Sequence, residues 1–130
     1  MLEGNAMEIN EFASKLFEYR DVLHIAHLKS KSFSQHKALG SFYEEVQDFA
    51  DSFIETYMGF VSEFKFDRFV VEESNLGNPV FIIEDLIGQV LMPAKAELAK
   101  DMDTYGFLVN EIESLIFKSY HTIYKLKFLK

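Results

Sequence analysis

The sequence predicts an all-α protein, four helices packed as a bundle with one longer crossover between the second and the third. Three observations predict it. Only two prolines and six glycines punctuate 130 residues, which favours long helices over turn-rich architectures. Four stretches repeat apolar residues at the three-to-four-residue spacing of an amphipathic helix. Two short hairpin connections flank one long connection, as in bundles with a single crossover. The chain is also the size of one domain, and its 48% hydrophobic content can fill a core. Residues 1–130 therefore read as a single domain. There are 14 Phe and no Trp, a composition suited to thick packing between helices.

The first helix is expected over residues 8–28, after a frayed lead-in over 1–7. Ile9, Phe12, Ala13, Leu16, Leu23 and His27 recur on one face. At about 100° per residue, Arg20 and His27 fall in the middle of that stripe and His24 at its edge. The break LKSKSFS offers Ser32 or Ser34 as a cap for a second helix over 34–58. Leu39, Phe42, Val46, Phe49, Phe53 and Tyr57 make its core face, and Gly59 is placed to end it. Residues 59–78 form the crossover. KFDRFVV alternates as a short strand would, but a long connection with a short helical piece is the preferred reading. A third helix is expected over 79–101, with Pro79 in its first turn and Pro93 kinking it. Ile83, Ile87, Val90, Ala94 and Leu98 line it. A fourth is expected over 104–126, marked by Tyr105, Leu108, Ile112, Leu115, Ser119, Ile123 and Leu126.

Composition removes several function classes. Without cysteine there is no thiolate nucleophile, disulfide or Cys-based metal site. A net charge of −8 argues against binding to DNA phosphates, which needs a Lys/Arg surface. The basic end KLKFLK is too small to reverse that. An acidic surface instead attracts cations. The opening residues MLEGNAMEINEF lack the order of a secretion signal, and there is no run of about 18 apolar residues. A cytoplasmic protein without a membrane span is the expectation.

Gly-rich phosphate loops and nucleophile elbows are absent. The candidates for chemistry are His24, His27, His36, Asp51 and Glu55. His27 closes the first helix and His36 opens the second, so a short antiparallel hairpin brings both imidazoles together. Asp51 and Glu55 stand at i and i+4 on one helical face, suited to gripping one ion. Imidazole with carboxylate suits iron or zinc. Asp51 is 15 residues beyond His36, about 22 Å along a helix, so the two ends cannot share an ion within one chain. Two copies of the second helix packed antiparallel about a two-fold axis would bring them together, with Gly40 permitting close approach. Tyr43 and Tyr57 read as packing residues near such a site, and Arg20 as a side chain reaching the rim.

The stretch FSQHKALGSFYEEVQDFADSFIETYMG, residues 33–59, resembles the second helix of the Dps mini-ferritins. His36, Leu39, Phe42, Asp51 and Glu55 fall at matching spacings, and His27 in AHLKSKSF matches the ligand on that family's first helix. The H…SF-x-HKALG-x-FYE pattern is also similar to that of small phage-encoded proteins. The mini-ferritin resemblance implies a ferritin-like bundle and an inter-subunit ferroxidase site. His27 and His36 would come from one chain, Asp51 and Glu55 from another, with His24 as a weaker additional ligand. It implies iron, with zinc possible in its place, oxidation of Fe(II), and a homo-oligomer that is at least a two-fold dimer and, at family scale, a dodecamer. The paired E-x-x-H of carboxylate di-iron bundles is missing. The alternative is a non-enzymatic helical protein, a phage-type accessory or assembly factor that works by protein contact.

Overall fold

The computed structural model describes residues 8–61, 63–71 and 77–129. The lead-in expected to fray, residues 1–7, lies outside them, as do 62, 72–76 and 130. All secondary structure among the described residues is helical. Helix α1 is Ile9–Lys29, α2 is Phe33–Phe60, α3 is Pro79–Leu86, α4 is Met92–Leu98 and α5 is Met102–Phe128. A π turn, Ile87–Leu91, joins α3 to α4, and a 3-10 turn, Ala99–Asp101, joins α4 to α5.

The starts of α2, α3 and α5 follow from short polar side chains that accept orphan backbone N–H groups. The Ser32 hydroxyl accepts from the Gln35 amide at 3.3 Å. Asn78 accepts from Val80 at 2.8 Å, with Pro79 in the first turn. Asp101 accepts from Thr104 at 3.2 Å and so separates α4 from α5. Helix α2 does not stop at Gly59: it continues to Phe60, where the Val61 amide bonds the Tyr57 carbonyl. Gly59 does not take the left-handed conformation that favours glycine, so it is not the glycine cap expected there; Phe64, beyond the helix end, is buried. Pro93 lies in the first turn of α4, directly after the π turn. It has no N–H and crowds the carbonyl four residues back. The strain is taken up one turn earlier in the π turn, where the Met92 amide reaches the Ile87 carbonyl.

Packing runs α1 on α2, α2 on α5, α5 on α3 and α4, and α3 back on α1. Neighbouring directions are fixed by which ends meet. His27 of α1 meets His36 of α2. Phe60 at the foot of α2 meets Tyr105 and Phe107 at the start of α5. Lys95 of α4 pairs with Glu113 of α5 at 3.1 Å. Phe12, Leu16, Leu39, Phe42, Ile83 and Ile112 are wholly enclosed between the helices. Phe12 meets the rings of Phe53 and Phe49 edge-on, at 5.1 and 6.3 Å, an arrangement aromatic quadrupoles favour.

Residues 63–71 have no regular secondary structure, neither the short strand nor the helical piece anticipated between α2 and α3. They are tied to α1 instead. The Lys65 amide donates to the Asn10 side chain at 3.0 Å. The Asp67 amide donates to the Ser14 hydroxyl at 2.7 Å, and that hydroxyl donates back to the Asp67 carbonyl at 3.1 Å. Phe66 and Phe69 lie against Phe17. Positions 65, 67 and 69 thus meet 10, 14 and 17 in order, so this strap runs alongside α1 in the same direction. No helix among the described residues is long and apolar enough to cross a membrane.

Candidate functional site

The turn between α1 and α2 spans only residues 30–32, and it sets two imidazoles face to face. The rings of His27 and His36 stack with centroids 3.8 Å apart and planes 25° apart. Each holds the other's backbone. His27 Nδ1 lies 2.6 Å from the His36 carbonyl, and His36 Nδ1 lies 2.9 Å from the His27 carbonyl. A carbonyl oxygen only accepts, so each Nδ1 carries the proton and donates. In the neutral rings both Nε2 atoms then keep a lone pair, free to bind a metal or a proton. The His27 carbonyl belongs to the last turn of α1, where helices leave carbonyls without partners. The His36 ring therefore also finishes that helix, with the Ser30 amide and hydroxyl bonding the His27 and Ala26 carbonyls.

Gly40 is what allows this geometry. A Cβ at residue 40 would lie 2.7 Å from His27 Cε1 and 2.9 Å from Nδ1. The close approach expected at Gly40 is thus between α2 and the His27 ring of the same chain. His24, one turn earlier on α1, stacks on Tyr43 at 4.3 Å, with His27 6.3 Å from it. The order His36, His27, Tyr43, His24 makes an aromatic ladder along the α1–α2 edge. His24 is exposed, while His27 and His36 are half-buried.

Asp51 and Glu55 are both exposed on α2, away from the histidines as their spacing requires. No cluster of three or more His, Asp or Glu side chains able to hold a metal occurs among the described residues. Within one chain the structure brings together His27 and His36, places His24 beside them, and leaves the carboxylates apart. Arg20 pairs with Asp21 at 3.1 Å and lies over Phe17.

One polar pair has no sequence counterpart above. Tyr19 of α1 donates its phenol hydrogen to Asp85 of α3. Burial, then the hydrogen bond to Asp85 and its negative charge, push the Tyr19 phenol well above its usual value. The pair separates two surface clefts of about 410 and 700 Å³. The one available signal was Asp85 itself, a carboxylate set among the core residues Ile82, Ile83 and Leu86.

The family model described as a family of unknown function, DUF5856, matches residues 27–126. The chain belongs to that family. The DUF5856 match opens at His27 and takes in the α1–α2 turn, α2 and the helices that follow. The chain is also similar to the "Uncharacterized 14.6 kDa protein in mobD-ri intergenic region" of Enterobacteria phage T4, at 32% identity over 57 residues. That alignment spans 44% of this chain and 44% of the phage protein. No solved structure matches the chain.

Proposed function

We propose that this protein binds a metal ion, iron with zinc able to replace it, at a site shared by two copies of the chain in the manner of a mini-ferritin. The scaffold in this reading is a ferritin-like four-helix bundle. Its members are α1, α2, the interrupted rod from α3 through α4, and α5, with residues 61–78 as the crossover. His27 and His36 of one copy supply imidazole nitrogen, and Asp51 and Glu55 of the other supply carboxylate oxygen. His24 is a weaker outer ligand. The copies pair through antiparallel α2 helices about a two-fold axis, in a cytoplasmic homo-oligomer that can extend to a dodecamer.

The observation that supports the reading is the reciprocal Nδ1–carbonyl bonding of His27 and His36. Metal-binding histidines characteristically give one ring N–H to a fixed acceptor, which orients the other nitrogen toward the metal. Imidazole and carboxylate together accommodate Fe(II) and stabilise Fe(III). Oxidation then requires two Fe(II) ions to lose one electron each. A peroxide accepts both and, with two protons, leaves as two waters.

The test is iron-dependent absorbance growth after Fe(II) and peroxide are added. His36→Ala and Asp51→Ala should each abolish it. An equal mixture of the two variants should recover about a quarter of the parent's sites, because half the dimers are mixed and each mixed dimer holds one complete site. Parent-like single variants, or a mixture that stays inactive, would refute the shared site.

A second reading, protein contact without metal chemistry, draws on exposed apolar residues beside the same turn, notably Phe33 at 79% and Leu28 at 64% exposure. Elemental analysis of iron-loaded protein separates the two: about one metal per site for the first, none for the second.

A further inference from the structure

The fold sorts charge in a way that the overall acidity hides. All 21 acidic residues lie outside residues 22–43, 77–83 and 114–129. These stretches come together at one end of the molecule. The turn between α1 and α2 is there, and Gln35 of α2, Asn78 and Pro79 at the start of α3, and Leu126 and Lys127 of α5 line a single cleft. Lys31 and Lys37 thus join Lys125 and Lys127, and Lys31, Lys37 and Lys127 are exposed. Helix dipoles account for part of this. Cations suit C-termini, and Lys29 of α1 and Lys125 and Lys127 of α5 stand in last turns. Lys31 and Lys37 instead flank the start of α2, where a cation is disfavoured. Neither α2 nor α3 has an acidic residue in its first turn. The negative helix ends here are offset and the positive ones are not, so the described residues leave this end positive.

The same segments carry large apolar side chains held away from the core. Leu28, Phe33, Phe128 and Leu129 are all exposed, Phe33 the most at 79%. Lys37 Nζ lies 5.9 Å from the centre of the Phe33 ring, so charge and apolar surface share one spot. Lysine interleaved with Phe and Leu is the chemistry of an interfacial anchor. The apolar tips enter the boundary of the acyl chains, while the long lysine stems keep their ammonium groups among lipid phosphates. We infer that this end of the molecule docks on an anionic lipid surface. Lys31, Lys37, Lys125 and Lys127 supply the charge, and Leu28, Phe33, Phe128 and Leu129 enter the interface. Nucleic acid fits less well, since its sites favour arginine and ring stacking. Arg20 and Arg68 lie outside these stretches, and Leu28 and Leu129 cannot stack on bases. The docking does not depend on the metal site proposed above.

The test uses the full chain with chelator present, at low ionic strength. It should co-sediment with phosphatidylcholine vesicles containing about one-third phosphatidylserine at least tenfold more strongly than with phosphatidylcholine alone. Lys31→Gln with Lys37→Gln should cut that binding about tenfold, as should Lys125→Gln with Lys127→Gln. Phe33→Ser should cut it several-fold. All should keep the parent's helical circular dichroism. Lys65→Gln with Lys95→Gln, away from this end, should bind as the parent does. The chain has no Trp, so Phe33→Trp supplies a single fluorophore whose emission should shift to the blue on anionic vesicles. Equal binding to both kinds of vesicle, binding to neither, lysine variants that match the parent, or a bound Phe33→Trp whose emission stays put would overturn the inference. So would tighter binding to a single-stranded oligonucleotide, or self-association without vesicles that Lys31→Gln with Lys37→Gln abolishes. The basic end would then face nucleic acid or a second copy.

Discussion

The ring of His27 occupies the space that a side chain at Gly40 would fill, with Cε1 only 2.7 Å from an ideal Cβ there. Two opposing effects decide what Gly40→Ala does. Alanine gains about 1 kcal/mol of helix propensity over glycine, while forcing a group into an occupied site costs about 1–3 kcal/mol. His27 is half-buried and can swing outward, but only by giving up its bond to the His36 carbonyl. The net expectation is a loss of about 1 kcal/mol in urea melts, with metal affinity falling at least tenfold. Gly88→Ala is the control, since a Cβ there meets nothing within 4 Å, and it should gain up to about 1 kcal/mol. A Gly40→Ala protein as stable as Gly88→Ala would show that the ring is not held where the structure has it.

Tyr19 and Asp85 join α1 to α3 through one side-chain hydrogen bond. Tyr19→Phe leaves a carboxylate without its donor and should cost about 1–2 kcal/mol, the range for a hydrogen bond to a charged group at a half-buried site. The pH dependence has a definite sign. The folded phenol is raised, by burial first and Asp85 next, so the native state keeps the proton longer than the unfolded chain does. Its stabilisation is complete below the ordinary phenol value of about 10 and is lost as pH climbs above it. Melting temperature should therefore fall more steeply between about pH 9 and 11 in the parent than in Tyr19→Phe. Parallel slopes would remove Tyr19 as the source.

Local rules made much of this molecule legible. The helices at 8–28 and 34–58 and the helix start at 79 were readable because apolar spacing, Ser32 and Pro79 each act within one turn of themselves. The meeting of His27 and His36 was readable for the same reason, since a short break at LKSKSFS brings the end of one helix beside the start of the next. The strap was not readable. Its path is set by Asn10 and Ser14, about 53 to 55 residues away, and a lone KFDRFVV fits strand, helix or neither. Tyr19 and Asp85 are 66 residues apart and escaped for the same reason. The π turn is intermediate: Pro93 announced a disturbance, but its spacing did not say that the disturbance would be a π turn with Ile87, Val90 and Leu91 packed in the core.

Ser14 fastens the strap by its hydroxyl, which both accepts from and donates to Asp67. It is only 4% exposed, so water cannot take over these bonds without reorganisation. Ser14→Ala should cost about 1–2 kcal/mol by leaving the Asp67 amide and carbonyl without partners. The effect should also be local. Trypsin should cut after Lys65 and Arg68 several-fold faster than in the parent, and the amides at 65 and 67 should exchange faster, while those in α2 and α5 change little. Unchanged cleavage at Lys65 and Arg68 would mean that Phe64 and the stacking on Phe17 hold the strap by themselves.

The paired carbonyls dictate a tautomer that nuclear magnetic resonance can read. His27 Nδ1 and His36 Nδ1 each face an oxygen that cannot donate, so both rings must be protonated at Nδ1 when neutral. Long-range proton–nitrogen correlation at mildly alkaline pH should show a protonated Nδ1 and a bare Nε2 in both. His121, exposed on α5, is the internal comparison. Zn(II) added to the protein should then move the Nε2 resonances of His27 and His36 and leave Nδ1 bonded to carbonyl, the division of labour expected of a metal-binding imidazole. If either ring proves to be protonated at Nε2, the carbonyl bonds are absent in solution, and the two lone pairs offered to a metal go with them.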